Sequence, residues 1–293
     1  MDIDVLGALA VRENGVSITP TAPKPRQVLA LLALHADQVV PVAALTEELW
    51  GTAPPRSART TLQTYLLQLR ELIAQALGDD RAAAKDVLMT LPGGYLLASG
   101  GGSSDVRAFE RLAGEGYRAM DQGAFAEAAR TLGRALALWT GTAFADVQAG
   151  AQLAMEARRL EESRLCALDQ RIEADLRLGR HRELLPELTV LTSRYRTHEN
   201  LHAQFMLALH RSGRRSESLS VYHQLRATLD ADLGLEPSPR LRRLQHSIQT
   251  AAPEAAPAPA PADGAGPPAP APGRCDRGGP GPRRRRRGPG GDA

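Results

Sequence analysis

The chain has 293 residues, 43% of them apolar and 4% aromatic, which suits about two globular domains with buried cores. No run approaches the roughly 18 apolar residues of a membrane span. The start MDIDVLGALA lacks the basic region of a signal peptide, and two cysteines, Cys166 and Cys275, cannot build a disulfide framework or a four-thiolate zinc site, so a cytoplasmic protein without membrane or redox function is expected.

The formal charge of +3 is unevenly placed: residues 251–293 hold seven arginines against four acids, and the first 250 residues hold 29 basic and 29 acidic groups. Net charge alone therefore makes no case for a polyanionic partner. With 34 arginines and only Lys24 and Lys85 as lysines, the arginine content also fits a GC-rich coding bias.

The first block, residues 1–98, opens with extended pieces, MDIDVLGALAV and then GVSI after a turn at ENG. A helix follows in KPRQVLALLALHA, with Val28, Leu31, Leu32 and Leu34 on one face and Pro25 near the tolerant first turn. A second helix, VAALTEELWG, is stopped by Gly51 and by Pro54 and Pro55. The third, SARTTLQTYLLQLREL, takes Ser57 as its N-cap and lays Ala58, Leu62, Tyr65, Leu66, Leu69, Leu72 and Ile73 along one seam. Its far side carries Arg56, Thr60, Gln63, Thr64, Leu67 and Glu71, flanked by Arg59, Thr61, Gln68 and Arg70.

Two short apolar runs around Pro-Gly-Gly in VLMTLPGGYLL then read as a hairpin. Strands, three helices and a hairpin are the order of a winged helix. In a major groove, short hydroxyls and amides reach phosphates and base edges, and arginines reach phosphate or guanine. An ordinary solvent-facing helix side would read the same way.

Residues 99–104, in ASGGGSSD, are expected as a Gly/Ser hinge. Residues 105–250 are helical in pattern throughout. DQGAFAEAARTLGRAL, RLGRHRELLPELTVL and RSGRRSESLSVYHQL each place a glutamate four residues after a glycine: Gly123 and Glu127, Gly179 and Glu183, Gly213 and Glu217. The last two glycines are 34 residues apart, the tetratricopeptide period, which predicts a stacked helical array. Pro237 and Pro239 separate its last amphipathic helix. Cys166 is expected among packing positions, and Trp50 and Trp139 as core anchors. The Pro/Ala/Gly/Arg-rich remainder, 251–293, is expected to be disordered, its run Arg283–Arg287 a solvated tail or a non-specific phosphate attractor.

Several of these phrases, in order, resemble a known family. VLALLALHADQVV, LTEELWG, PPRSARTTLQTYLLQLREL and LPGGYLL are similar to the DNA-binding domain of the actinobacterial antibiotic regulatory proteins, an OmpR/PhoB-type winged helix. ESRLCALDQRIEADLRLGRHRELLPEL, AQFMLALHRSGRRSESLSVY and ADLGLEPSPRLRRLQ resemble the bacterial transcriptional activation domain that follows it. The resemblance implies a mainly α chain, an N-terminal α+β winged helix followed by an all-α tetratricopeptide-like domain. It also implies a pathway-specific activator of a specialised-metabolite gene cluster that binds promoter direct repeats as a dimer and contacts RNA polymerase, with no enzymatic activity and no cofactor. Carried over by position, Arg56, Arg59, Thr60, Thr61, Gln63, Thr64, Gln68 and Arg70 become the DNA contacts, with Gly93, Gly94 and Tyr95 the wing tip.

The sequence departs from that family where Leu67, Gln68, Leu69, Arg70 and Glu71 replace a pattern richer in arginine. Residues 1–98 hold 8 basic and 10 acidic groups, a net of −2, so a helical-repeat interaction protein with little DNA affinity is the competing class. Larger relatives carry an ATPase module, yet no Walker-type loop with a Lys-Ser or Lys-Thr pair occurs, nor does a receiver domain. HENLH, residues 198–202, matches the zincin pattern, which would make His198 and His202 zinc ligands and Glu199 a base. A third ligand is not evident, since Phe205 and Ala208 fail the extended motif, so this is the remote third reading.

Overall fold

The computed structural model describes residues 1–250; the tail 251–293, with Cys275 and Arg283–Arg287, lies outside the described residues. The alternation at the start becomes β1 (Asp2–Asp4), β2 (Ala10–Glu13) and β3 (Val16–Ser17), an antiparallel sheet in that order with Ile3 opposite Val11 on the core face. Asn14 and Gly15 turn β2 into β3 with φ of 50° and 79°, the pair of positive values a two-residue hairpin demands.

Helix α1 (Pro23–Leu34) is buried continuously from Val28 to Ala33 and forms the centre of the N-terminal core. After β4 (Val39–Pro41), α2 (Val42–Trp50) ends at Gly51, whose φ is +62°. Helix α3 (Ala58–Ala76) buries Ala58, Leu62, Leu66, Leu69 and Ile73, with Tyr65 and Leu72 packed beside them, so the expected seam is the observed one. Ser57 holds the cap position, but its hydroxyl bonds no helix amide.

A further helix, α4 (Arg81–Val87), was not expected from the sequence; the Asp80 carboxylate caps it by accepting the amides of Ala82 and Ala83 at 2.9 and 3.0 Å. Strands β5 (Leu88–Leu91) and β6 (Gly94–Leu97) form the hairpin, and β6 lies between β5 and β4.

The second part is helical as expected: α5 (Asp105–Asp121), α6 (Phe125–Leu136), α7 (Ala151–Arg177), α8 (His181–Arg194), α9 (Glu199–Arg211), α10 (Arg215–Leu233) and α11 (Pro239–Thr250). The three predicted turn glycines, Gly123, Gly179 and Gly213, take φ of 72°, 81° and 81° between paired helices, a region open to glycine at little cost.

One hydrophobic core runs from Ile3 to Ala167, so the winged helix and helices α5 to α7 share an interior. Helix α7 links that core, through Leu153, Leu160 and Ala167, to a second one through Ile172 and Leu176. Trp139 anchors the first core as expected, edge-on to Phe109 at 5.5 Å and under the Arg164 guanidinium at 4.8 Å. Trp50 packs half-buried at the end of α2. Cys166 does not pack as expected. It is exposed on α7, because its neighbour Ala167 takes the seam position seven residues after Leu160.

The Gly/Ser segment is not slack. Ser99 donates from its amide and hydroxyl to the Asp37 carboxylate, both at 2.7 Å, and Ser103 donates likewise to Asp2 Oδ1 at 3.1 and 2.6 Å. Short polar side chains and a shared core tie residues 99–104 down where glycine content alone suggested free rotation.

Candidate nucleic-acid interface

Helix α3 presents its polar side outward. Arg56, Arg59, Thr60, Gln63, Thr64, Gln68 and Glu71 are exposed, and Thr61 is half-buried with its amide donated to Ser57 O at 2.9 Å. Arg56 and Arg59 make no ion pair among the described residues, so both guanidiniums are free for an outside anion. Thr64 donates its hydroxyl to Thr60 O at 3.1 Å, which fixes its rotamer and leaves oxygen lone pairs outward. Beside this face lies a cleft of about 370 Å³ walled by Arg59 and Leu62 of α3, Val42 of α2, and Thr90, Leu91 and Gly93 of the hairpin.

Arg70 occupies a different position from the rest of the predicted set. Its Nε and Nη2 donate to Leu88 O at 2.9 and 2.7 Å, and Nη2 also donates to Thr90 Oγ1 at 2.8 Å. The guanidinium therefore bolts the first wing strand to α3, turned away from the outward face.

The wing tip is also narrower than the sequence suggested. Pro92 and Gly93 alone form the turn, with Gly93 at φ +82°, while Gly94 and Tyr95 are buried within β6. A Cβ on Gly94 would lie 2.5 Å from Val40 O, so only glycine lets β6 approach β4 this closely. Tyr95 pairs with Val40 on one side and Thr90 on the other. Val42 donates its amide to Gly93 O at 3.0 Å, which pins the tip to the start of α2.

Residues the sequence reading did not single out hold this unit on the helical part. Glu48 of α2, 2% exposed, accepts the amides of Gly150, Gln152 and Leu153 at 2.5, 3.0 and 3.0 Å and so caps α7. The buried Gln27 amide donates to the Glu48 backbone and side-chain oxygens, both at 2.7 Å. Asp105 Oδ2 accepts the amides of Val5 and Leu6 at 2.7 Å each. Burial pushes its carboxyl above the usual range against the pull of those two amides. Asp37 moves the other way: the Ser99 hydrogen bonds hold its carboxyl below the usual range, and Arg107 at 2.9 Å adds to that.

The HENLH residues have structural partners. His198 is the N-cap of α9, its Nδ1 accepting the Leu201 amide at 3.3 Å. His202 Nδ1 donates to His198 O at 3.0 Å, and Glu199 accepts the Ser238 amide at 2.9 Å. His198 thus stands at the end of the helix, engaged with the backbone, rather than one turn before His202 within a ligand-bearing helix.

Comparison with known proteins returns two family matches along the chain. Residues 16–97 match "Transcriptional regulatory protein, C terminal", and residues 104–249 match "Bacterial transcriptional activator domain". The regulatory protein DnrI of Streptomyces peucetius is 57% identical over 254 residues, 86% of this chain and 93% of that protein. The transcriptional regulatory protein MoaR1 of Mycobacterium tuberculosis is 34% identical over 86% of this chain and 80% of its own length. Among solved structures, Mycobacterium tuberculosis EmbR in complex with a low affinity phosphopeptide superposes with a TM-score of 0.76 at 32% identity, over 85% of this chain and 64% of that one.

Proposed function

The chain belongs to the actinobacterial antibiotic regulatory proteins, a family of transcriptional regulators, and we propose that it is the cytoplasmic, pathway-specific activator of a specialised-metabolite gene cluster. In this reading α3 enters the major groove of promoter DNA and the Pro92–Gly93 wing braces the adjacent backbone. Arg56, Arg59 and the first-turn amides of α3, left without a side-chain cap, meet phosphate, a task that suits a helix N-terminus. Thr60, Gln63, Thr64 and Gln68 face the bases. Two protomers on direct repeats about one helical turn apart place both α3 helices on the same side of the duplex. The domain α5 to α11 then contacts RNA polymerase holoenzyme.

The observation that carries this reading is the outward face of α3: mostly polar, bordered by two arginines without an ion pair among the described residues, and set beside the wing. The net of −2 over residues 1–98 favours the competing reading, a helical-repeat regulator that works through protein contacts. Anisotropy of the full chain on promoter fragments from its own gene neighbourhood, bearing one or two repeats, separates the two. Saturable binding that needs both repeats and is weakened by Arg59→Ala supports the activator. Binding that is absent or indifferent to sequence supports the competitor.

A further inference from the structure

We infer that Leu67 is a specificity-determining residue that reads the 5-methyl group of a thymine in each half-site, an inference that rests on the docking of α3 proposed above. Leu62, Leu66 and Leu69 of the same helix are each 1% exposed, whereas Leu67 is 59% exposed. A single exposed leucine ordinarily needs no account. The position of this one does. It lies one turn from Gln63 and from Glu71 and two turns from Thr60, so it is the apolar centre of an otherwise polar stripe.

On a helix seated in the groove, that centre is stripped of water. Leucine can neither donate nor accept a hydrogen bond, so it meets none of the donors and acceptors on the base edges, thymine O4 included, and gains only where an edge also offers an apolar group. The thymine methyl is the apolar group on the major-groove floor, and contact with it is the one that gains from leucine. The adjacent Arg70 guanidinium does not cover the spot, since it is turned to Leu88 and Thr90. Leu67 therefore selects by what it gains from the thymine methyl.

Replacing each thymine of the bound site in turn by deoxyuridine removes one methyl and leaves base pairing unchanged. With the full chain, one thymine per half-site is expected to show binding weakened about 3- to 10-fold on this exchange. Leu67→Ala should weaken binding to the thymine duplex by a similar factor and make the exchange at that position silent. Alanine suits an exposed helix position, so an unchanged melting profile is expected and certifies the fold. A specific complex indifferent to every deoxyuridine exchange, or a methyl effect that persists in Leu67→Ala, overturns the assignment of Leu67 alone. Absence of any specific complex overturns the docking of α3 and this inference with it.

Discussion

The Glu48 carboxylate, carried on α2, accepts the amide of Gly150 at 2.5 Å and with it caps a helix whose residues lie a hundred positions further along the chain. The contact leaves no room for a side chain, since a Cβ on Gly150 would run into Glu48 O. Glu48→Ala leaves the first α7 amides without their acceptor and the Gln27 amide with the Glu48 backbone oxygen alone, and should destabilise the full chain by about 2–4 kcal/mol. Urea unfolding measures the loss. Hydrogen exchange should show protection falling in α2 and at the start of α7 together, and an effect confined to α2 would contradict a shared clamp.

Arg70 separates positioning from contact. Arg70→Ala frees β5 from α3, so DNA affinity should fall about tenfold while base preference and salt slope stay as they were. Arg70→Lys should not restore it, because one ammonium cannot reproduce the planar fork that bridges Leu88 O and Thr90 Oγ1. Arg59→Ala should instead lower the salt slope by about one, the signature of a lost phosphate contact. A reduced slope in Arg70→Ala would return that residue to the DNA-contacting set.

What could be read in the sequence was local. The α3 seam, the Asn14–Gly15 turn and the three turn glycines each declare themselves within a few residues, by periodicity or by the φ that only certain residues accept. Helix α4 had its signal in the Asp80 cap and the alanines after it, but its short length hid it between two stronger elements. Cys166 lies one position off the stripe of Leu153, Leu160 and Ala167, and one position off that stripe is already solvent. The side-chain roles of Arg70, Glu48 and Asp105 were not legible, since their partners lie 18 or more residues away and no spacing rule encodes them. Resemblance supplied the family, and only the packed structure turned Arg70 inward.

His202 gives the helical domain an acid-sensitive point. It is buried, and burial lowers its pKa below the ordinary value near 6.5. The sign follows: between the folded and unfolded values the unfolded chain binds the extra proton, so stability is full above about 6.5 and is lost as the pH falls through the lowered value. His181 shifts in the same direction, by burial and then by Arg211. Thermal unfolding from pH 7.5 to 5 should show this decline, and His202→Gln should flatten part of it. A decline unchanged in that variant would place the proton elsewhere.

Affinity for DNA should depend on pairing more than on charge. Arg56 and Arg59 are exposed arginines of the α3 stretch without an ion pair among the described residues, and acids outnumber bases over residues 1–98. Each phosphate neutralised contributes about −0.9 to the slope of log K against log salt, so a protomer relying on two arginines should give a slope of only about −2. A single repeat should then be held weakly at physiological salt. A second protomer on the adjacent repeat converts the weak event into a near-intramolecular one and roughly doubles the slope, with no new base contact required. Titrations on one-repeat and two-repeat duplexes from 50 to 200 mM salt measure both quantities, in the range where such slopes are well determined. Tight binding to one repeat with a slope of about −5 or steeper would mean that cations outside α3 carry the complex, and that the paired arrangement is not what holds it to the promoter.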